Sequence, residues 1–264
     1  MHNSVQYQEL FDRVYSSLQK SGFDVEKNIY NFPDFKELND TDIFKHLCRA
    51  IFTIQAVWHE YEENFETIDK LLLHYDIKMI SELSEDKIKQ IYDQIINLKI
   101  RGRFLNIKLH AFRDNAKTFL KIANQFGSVH NFIKQHFNDK EYLRNKFIKT
   151  QSQYKLKLVG ISICSEFFKN IGIDDFKADK HIIRFFSRIG LIDNPKVKIT
   201  DKIAFQVRKV GFEFAAKIEK PAHYVDNVLW FFCADDKGEI CSSKPKCQKC
   251  ELYTKEPQLC KGDF

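Results

Sequence analysis

Four cysteines near the C-terminus carry the plainest chemistry in the chain: Cys241, Cys247, Cys250 and Cys260, spaced C-x5-C-x2-C-x9-C. Thiolates are soft ligands, and four of them so placed can wrap one cubane iron–sulfur cluster. Structural zinc more often takes two tight Cys pairs or a Cys pair with a His pair, and only one C-x2-C is present here. A 4Fe-4S cluster is therefore the preferred reading, with zinc on the same four ligands as the alternative. Of the seven Cys, Cys233 lies in the aromatic run PAHYVDNVLWFFC and Cys48 and Cys164 lie in other apolar runs. These three read as buried core thiols. A second group of interest is Asp179, directly before KHIIRFFSRIG, whose Ile182, Ile183, Phe186 and Ile189 follow the helical period. That places Asp179 at a helix N-cap, where the partial positive charge of the helix end keeps a carboxylate ionised. Upstream, LKLVGISICSEFFKN predicts a helix, a turn centred on Gly160 and a second helix from about Ser162. A turn residue without Cβ lets backbone N–H groups approach an anion closely.

These groups must be positioned by a chain of 264 residues, 44% hydrophobic and 30% charged, a globular composition that argues against disorder. Nine Gly and five Pro are under half the usual share of about 12%, which disfavours a sandwich or barrel built on many tight turns. No apolar stretch approaches the roughly 18 residues of a membrane span, and the N-terminus carries charges where a signal peptide needs an apolar run. An intracellular compartment follows, in which clustered Cys read as metal ligands and not as disulfides. The net charge of +6 favours an anionic partner, most commonly nucleic acid. Helical signals recur along the chain. A buried helix is expected over 42–64 behind the caps Asn39, Asp40 and Thr41, another behind Ser84, and one through AFRDNAKTFLKIANQF ending near Gly127. With no convincing alternating strand, the fold class is all-α.

Three motifs in this order resemble the HhH-GPD superfamily of DNA glycosylases, particularly its endonuclease III branch. They are LVGIS (158–162), ADKHIIRFFSRIG (178–190) and CSSKPKCQKC (241–250). The Cys spacing of endonuclease III is C-x6-C-x2-C-x5-C, so this chain departs in the first and last intervals, which leaves Cys260 less fixed as a ligand than the other three. The resemblance implies a two-lobed helical fold with a groove: a terminal lobe from 1–40 and 156–240, a central lobe over 41–155, and a cluster loop over 241–264. It implies a monomeric enzyme of base excision repair, in the cytoplasm at the bacterial or archaeal nucleoid and off the membrane. Such an enzyme binds double-stranded DNA, flips out a damaged or mismatched base and hydrolyses its N-glycosidic bond.

The resemblance also assigns roles. Asp179 becomes the catalytic carboxylate, stabilising positive charge on the sugar and activating water. Gly160 and Ser162, the latter where the family usually has a second Gly, form the phosphate-binding hairpin, and Lys180 becomes a structural or phosphate-facing neighbour. In FTIQAVW, Gln55 fills the gap left by the flipped base and Trp58 lines the pocket, while Arg101 and Arg103 belong to a DNA-contacting loop. Family members that also cut the strand carry a Lys where this chain has Ser162 or Cys164, so a monofunctional enzyme is expected. A bifunctional enzyme using another Lys, or a non-catalytic iron–sulfur DNA-binding protein, is the alternative. Ile51 stands where the mismatch adenine enzymes carry Glu, which disfavours that substrate.

Overall fold

The computed structural model describes residues 4–29, 32–56, 58–100, 104–194, 198–235, 237–260 and 262. Every regular element among them is helical, in agreement with the all-α expectation, and no helix is long and apolar enough to cross a membrane. In chain order the α-helices are α1 (Ser4–Lys20), α2 (Val25–Asn28), α3 (Asp40–Phe52), α4 (Trp58–Glu62) and α5 (Phe65–Leu71). Then come α6 (Ile77–Ser81), α7 (Glu85–Asn97), α8 (Leu105–Phe126), α9 (Val129–Gln135) and α10 (Lys140–Ile148). The last are α11 (Ile161–Asn170), α12 (Lys180–Arg188), α13 (Asp201–Lys217), α14 (Ala222–Cys233) and α15 (Glu251–Thr254). The chain divides into two compact units, Phe32–Ile173 and a second made of Met1–Asn31 with Asp174–Phe264. The division differs from the expected one in placing 32–40 and 156–173 with the central helices. The cause is burial: Cys164, Phe167 and Phe168 of α11 lie in the same core as Phe44, Leu47 and Phe119.

In the Phe32–Ile173 unit, α3 and α8 supply the middle of the core. Asn39 closes a capping box with Asp42 at the start of α3, Ser84 caps α7, and Gly127 at φ 81° ends α8. Phe44 packs edge-on against Phe119, and Phe52 against Phe112. Each fully buried ring contributes roughly 1.5–3 kcal/mol of transfer free energy. The continuous helix expected over 42–64 is broken. Thr53 N–H and Ile54 N–H turn back to Ala50 and Ile51, Gln55 takes φ 46°, and Ala56 N–H bonds Thr53 O. The Phe52 carbonyl, which a continuing helix would pair with the N–H of residue 56, instead accepts from the Lys108 ammonium at 3.0 Å. The helix expected just before Gly160 is also absent. Residues 149–160 form successive turns, with Leu156 N–H on Phe147 O and Leu158 at φ 61°.

In the other unit, α1 packs on α13, α14 and α15. Asp175, wholly buried, is paired with Arg208 of α13 at 3.0 Å. One turn further along α13, Gly211 admits the ring of Phe176 so closely that a Cβ would lie 2.4 Å from it. Gly211→Ala should therefore destabilise the protein by about 1–3 kcal/mol, read as a lower denaturant midpoint. An unchanged midpoint would show that Phe176 can step aside.

Candidate active site

Within the Phe32–Ile173 unit, two turns carry the expected DNA-facing residues. Gln55 stands in the left-handed backbone region with an exposed side chain, one residue past the 3-10-like end of α3. A β-unbranched residue that is not Gly, Asn or Asp is uncommon in that conformation, and such outliers concentrate at functional sites. Trp58 begins α4, and its side chain lies outside the described residues, as do Arg101, Gly102 and Arg103. Gly160 is the N-cap of α11 in an extended conformation, without a side-chain cap, and nothing lies within 4 Å of where its Cβ would be. An open helix N-terminus of this kind suits an anion. Ser162 lies inside the first turn of α11, and the residue with glycine-like backbone is Leu158 instead.

Both turns are held from α8. Lys108 donates to Phe52 O, and Asn115 brackets the Lys157 peptide, accepting from its N–H at 2.6 Å and donating to its carbonyl at 3.2 Å. Lys155 Nζ closes the hairpin turn on Val159 O at 2.6 Å. Sequence reasoning passed over Lys108 and Asn115. A signal was available, since both fall on the apolar stripe of α8 among Leu105, Leu109, Phe112, Ala116 and Phe119.

In the second unit Asp179 caps α12 as expected, its Oδ1 accepting from His181 N–H at 2.8 Å and Ile182 N–H at 3.0 Å. Both bonds fall on one oxygen, so Oδ2 remains available for chemistry. Asp179 is half-buried between buried Ala178 and exposed Lys180. His181 is held on the acidic side of its ordinary pKa, chiefly by burial, with Lys180 and Arg184 adding repulsion against the attraction of Asp179. Arg184 Nη2 donates to Cys233 O at 3.1 Å, joining α12 to the end of α14.

Cys241, Cys247, Cys250 and Cys260 line one small cavity, with Phe185, Phe232 and Leu252 as apolar walls. Arg188, the last residue of α12, donates to Cys241 Sγ at 3.3 Å and to the Cys241 and Ser242 carbonyls at 3.2 and 2.9 Å. Among the described residues, no three His, Cys, Asp or Glu side chains are arranged to hold a single metal ion. A cubane asks for something different, one thiolate at each of four corners in a largely apolar shell, and the four thiols on this cavity fit that demand. The long interval between Cys250 and Cys260 is folded onto α1. Buried Arg13 donates to the carbonyls of Glu251, Lys255, Glu256 and Pro257, while Lys20 and Ser16 bond the Glu251 carboxylate. Cys233, Cys48 and Cys164 are buried as expected.

Comparison with known proteins adds the following. The family described as methyladenine glycosylase matches residues 34–199, a span that holds Gln55, the hairpin and Asp179 and ends before the cysteine loop. An 8-oxoguanine DNA glycosylase/AP lyase of Methanocaldococcus jannaschii is 20% identical over 208 residues, covering 78% of this chain and 87% of that protein. The crystal structure of the M. jannaschii 8-oxoguanine glycosylase/lyase with a 15mer DNA containing 8-oxoguanine superposes with a TM-score of 0.57 at 18% identity, over 84% of this chain and 96% of that one. The 8-oxoguanine DNA glycosylase of Thermotoga maritima gives 0.58 at 20% identity, over 85% and 96%. At such identities the structural likeness establishes a shared fold.

Proposed function

The chain belongs to the methyladenine glycosylase family, within the HhH-GPD DNA glycosylases, and from that premise we propose that it is a monofunctional enzyme excising a modified purine from duplex DNA. The observation that carries the reading is Asp179: a carboxylate at a helix N-cap, with Oδ1 engaged by the helix and Oδ2 spare. As the bond from C1′ to the base breaks, its electron pair leaves with the base and positive charge builds on the sugar. Asp179 stabilises that charge and accepts the proton of the attacking water. Gln55 takes the place of the extruded nucleotide, and the α11 N-terminus at Gly160 holds a phosphate.

Two observations favour hydrolysis without strand cleavage. Neither Ser162 nor Cys164 can form an imine. Of the lysines that flank the hairpin, Lys155 is engaged with Val159 O and buried Lys169 with Glu166 at 3.4 Å, while exposed Lys157 lies before the turn. The second reading, a glycosylase that also cuts the strand, draws on the relative named glycosylase/AP lyase and requires a different amine. The purine class follows from the family's methyladenine and the relatives' 8-oxoguanine. Duplexes carrying one methyladenine, 8-oxoguanine, uracil or thymine glycol, treated with protein and then alkali, provide the test. Cleavage confined to a purine lesion is expected; release of a pyrimidine alone would overturn the assignment.

The four cysteines supply the ligands of a 4Fe-4S cluster, and the support is the shared cavity they line with Arg188 facing Cys241. When bound, the cluster would cross-link the C-terminal loop, since four protein ligands leave no open coordination position for chemistry. The protein acts as a monomer on double-stranded DNA. Binding should weaken steeply with salt, with a log-log slope of roughly 0.9 per phosphate neutralised. Salt-insensitive binding would remove the phosphate backbone as the partner.

A further inference from the structure

Lys108 and Asn115 are both wholly buried. They stand seven residues apart on α8, so their side chains leave the same face about 10 Å apart at 1.5 Å rise per residue. A purely apolar stripe would pack this core at lower desolvation cost, because a buried ammonium or amide must have its partners supplied by the protein. Each of the two is supplied with backbone from one specific turn. The Lys108 ammonium donates to the carbonyl of Phe52, the last residue of α3, three residues before Gln55 at φ 46°. It also lies 5.5 Å from the centroid of the Tyr61 ring, whose buried hydroxyl has no hydrogen-bond partner among the described residues. Burial pulls the Lys108 ammonium down to about 8. Asn115 occupies both hydrogen-bonding groups of the Lys157 peptide, next to Leu158 at φ 61° and three residues from Gly160.

We propose that Lys108 and Asn115 are positioning residues that set the spacing between the Gln55 turn and the Gly160 hairpin, so that the gap-filling side chain and the phosphate-holding backbone engage one stretch of duplex together. The inference rests on the reading of Gln55 and Gly160 given above. Neither residue touches DNA in this scheme; each acts through the turn whose backbone it satisfies.

The test separates the two turns. Duplex affinity is measured by anisotropy on undamaged DNA, and base extrusion by the fluorescence of 2-aminopurine beside a lesion in saturated complexes. Lys108→Met should lower the extrusion equilibrium about tenfold, the effect of one charged hydrogen bond, while moving the undamaged-duplex Kd by less than about twofold. Asn115→Leu should do the opposite, raising Kd about tenfold with near-normal extrusion once saturated. Combining Lys108→Met with Gln55→Ala should give no further loss of extrusion than Gln55→Ala alone, because the first acts through the second. Lys108→Gln, which keeps a donor for Phe52 O, should lie between wild type and Lys108→Met, and it serves if Lys108→Met does not fold. Parallel loss of both signals in both variants, tracking the melting temperature, would reduce the pair to core packing and overturn the proposal. Additive losses in the double variant would overturn it as well. If Gln55→Ala by itself leaves the 2-aminopurine signal unchanged, the reading of Gln55 falls and takes the Lys108 half with it, while the Asn115 half is decided by its own Kd.

Discussion

Asp179→Asn is expected to bind duplex DNA as the parent does and to excise its lesion at least about 100-fold more slowly, the equivalent of losing roughly 3 kcal/mol of charge stabilisation. The substitution isolates charge from structure. Asn is as good an N-cap as Asp, so the bonds from His181 and Ile182 that open α12 survive, and the melting temperature should hardly change. Asp179→Ala, in contrast, would also remove the cap, at about 1 kcal/mol, and would confuse folding with catalysis. The abasic strands left by the parent enzyme should break only after alkali or heat, and borohydride should trap no covalent complex. Undiminished excision by Asp179→Asn would remove Asp179 from the chemistry. Borohydride trapping by the parent would show an amine nucleophile and overturn the monofunctional assignment. The structure also distinguishes the two positions at which a Lys could be restored. Cys164 is wholly buried in the core of its unit, where an inserted ammonium would unfold α11, whereas Ser162 is half-buried in the first turn of that helix. Gain of trapping is therefore expected for Ser162→Lys alone.

The second large effect concerns the cysteine loop. Protein purified without chelators should be brown, with a broad absorption near about 400 nm from sulfur-to-iron charge transfer, and should contain iron and acid-labile sulfide in equal amounts. Cys250→Ser should lose that colour and leave the segment from Glu251 to Cys260 held by its bonds to α1, through Arg13, Ser16, Ser17 and Lys20, with a fall in melting temperature and in solubility. Cys260→Ser examines the ligand furthest from the familiar spacing. Loss of colour in that variant would assign Cys260 as the fourth ligand despite the nine-residue interval, which α15 and the Arg13 bonds fold back toward the cavity. Colourless protein holding one zinc per chain would replace the cluster by the alternative metal and leave the glycosylase reading unaffected.

What was legible in the sequence is what neighbouring residues decide among themselves. The helical class follows from periodicity and from the scarcity of Gly and Pro, and the caps at Asn39, Ser84 and Asp179 are contacts across two or three residues. The set of four thiols was legible for the same reason, since three of the four lie within ten residues. What required the tertiary structure is what distant residues supply to an orphaned backbone group. The carbonyl left over at the end of α3, that of Phe52, finds its partner in an ammonium 56 residues away. The hairpin turn depends on an amide 42 residues away, and the Cys250 to Cys260 interval on a guanidinium more than 230 residues away. No local propensity encodes these bonds. A helix stops, and a turn becomes rigid, where its unpaired carbonyls and N–H groups find partners, and only the folded chain brings those partners within reach.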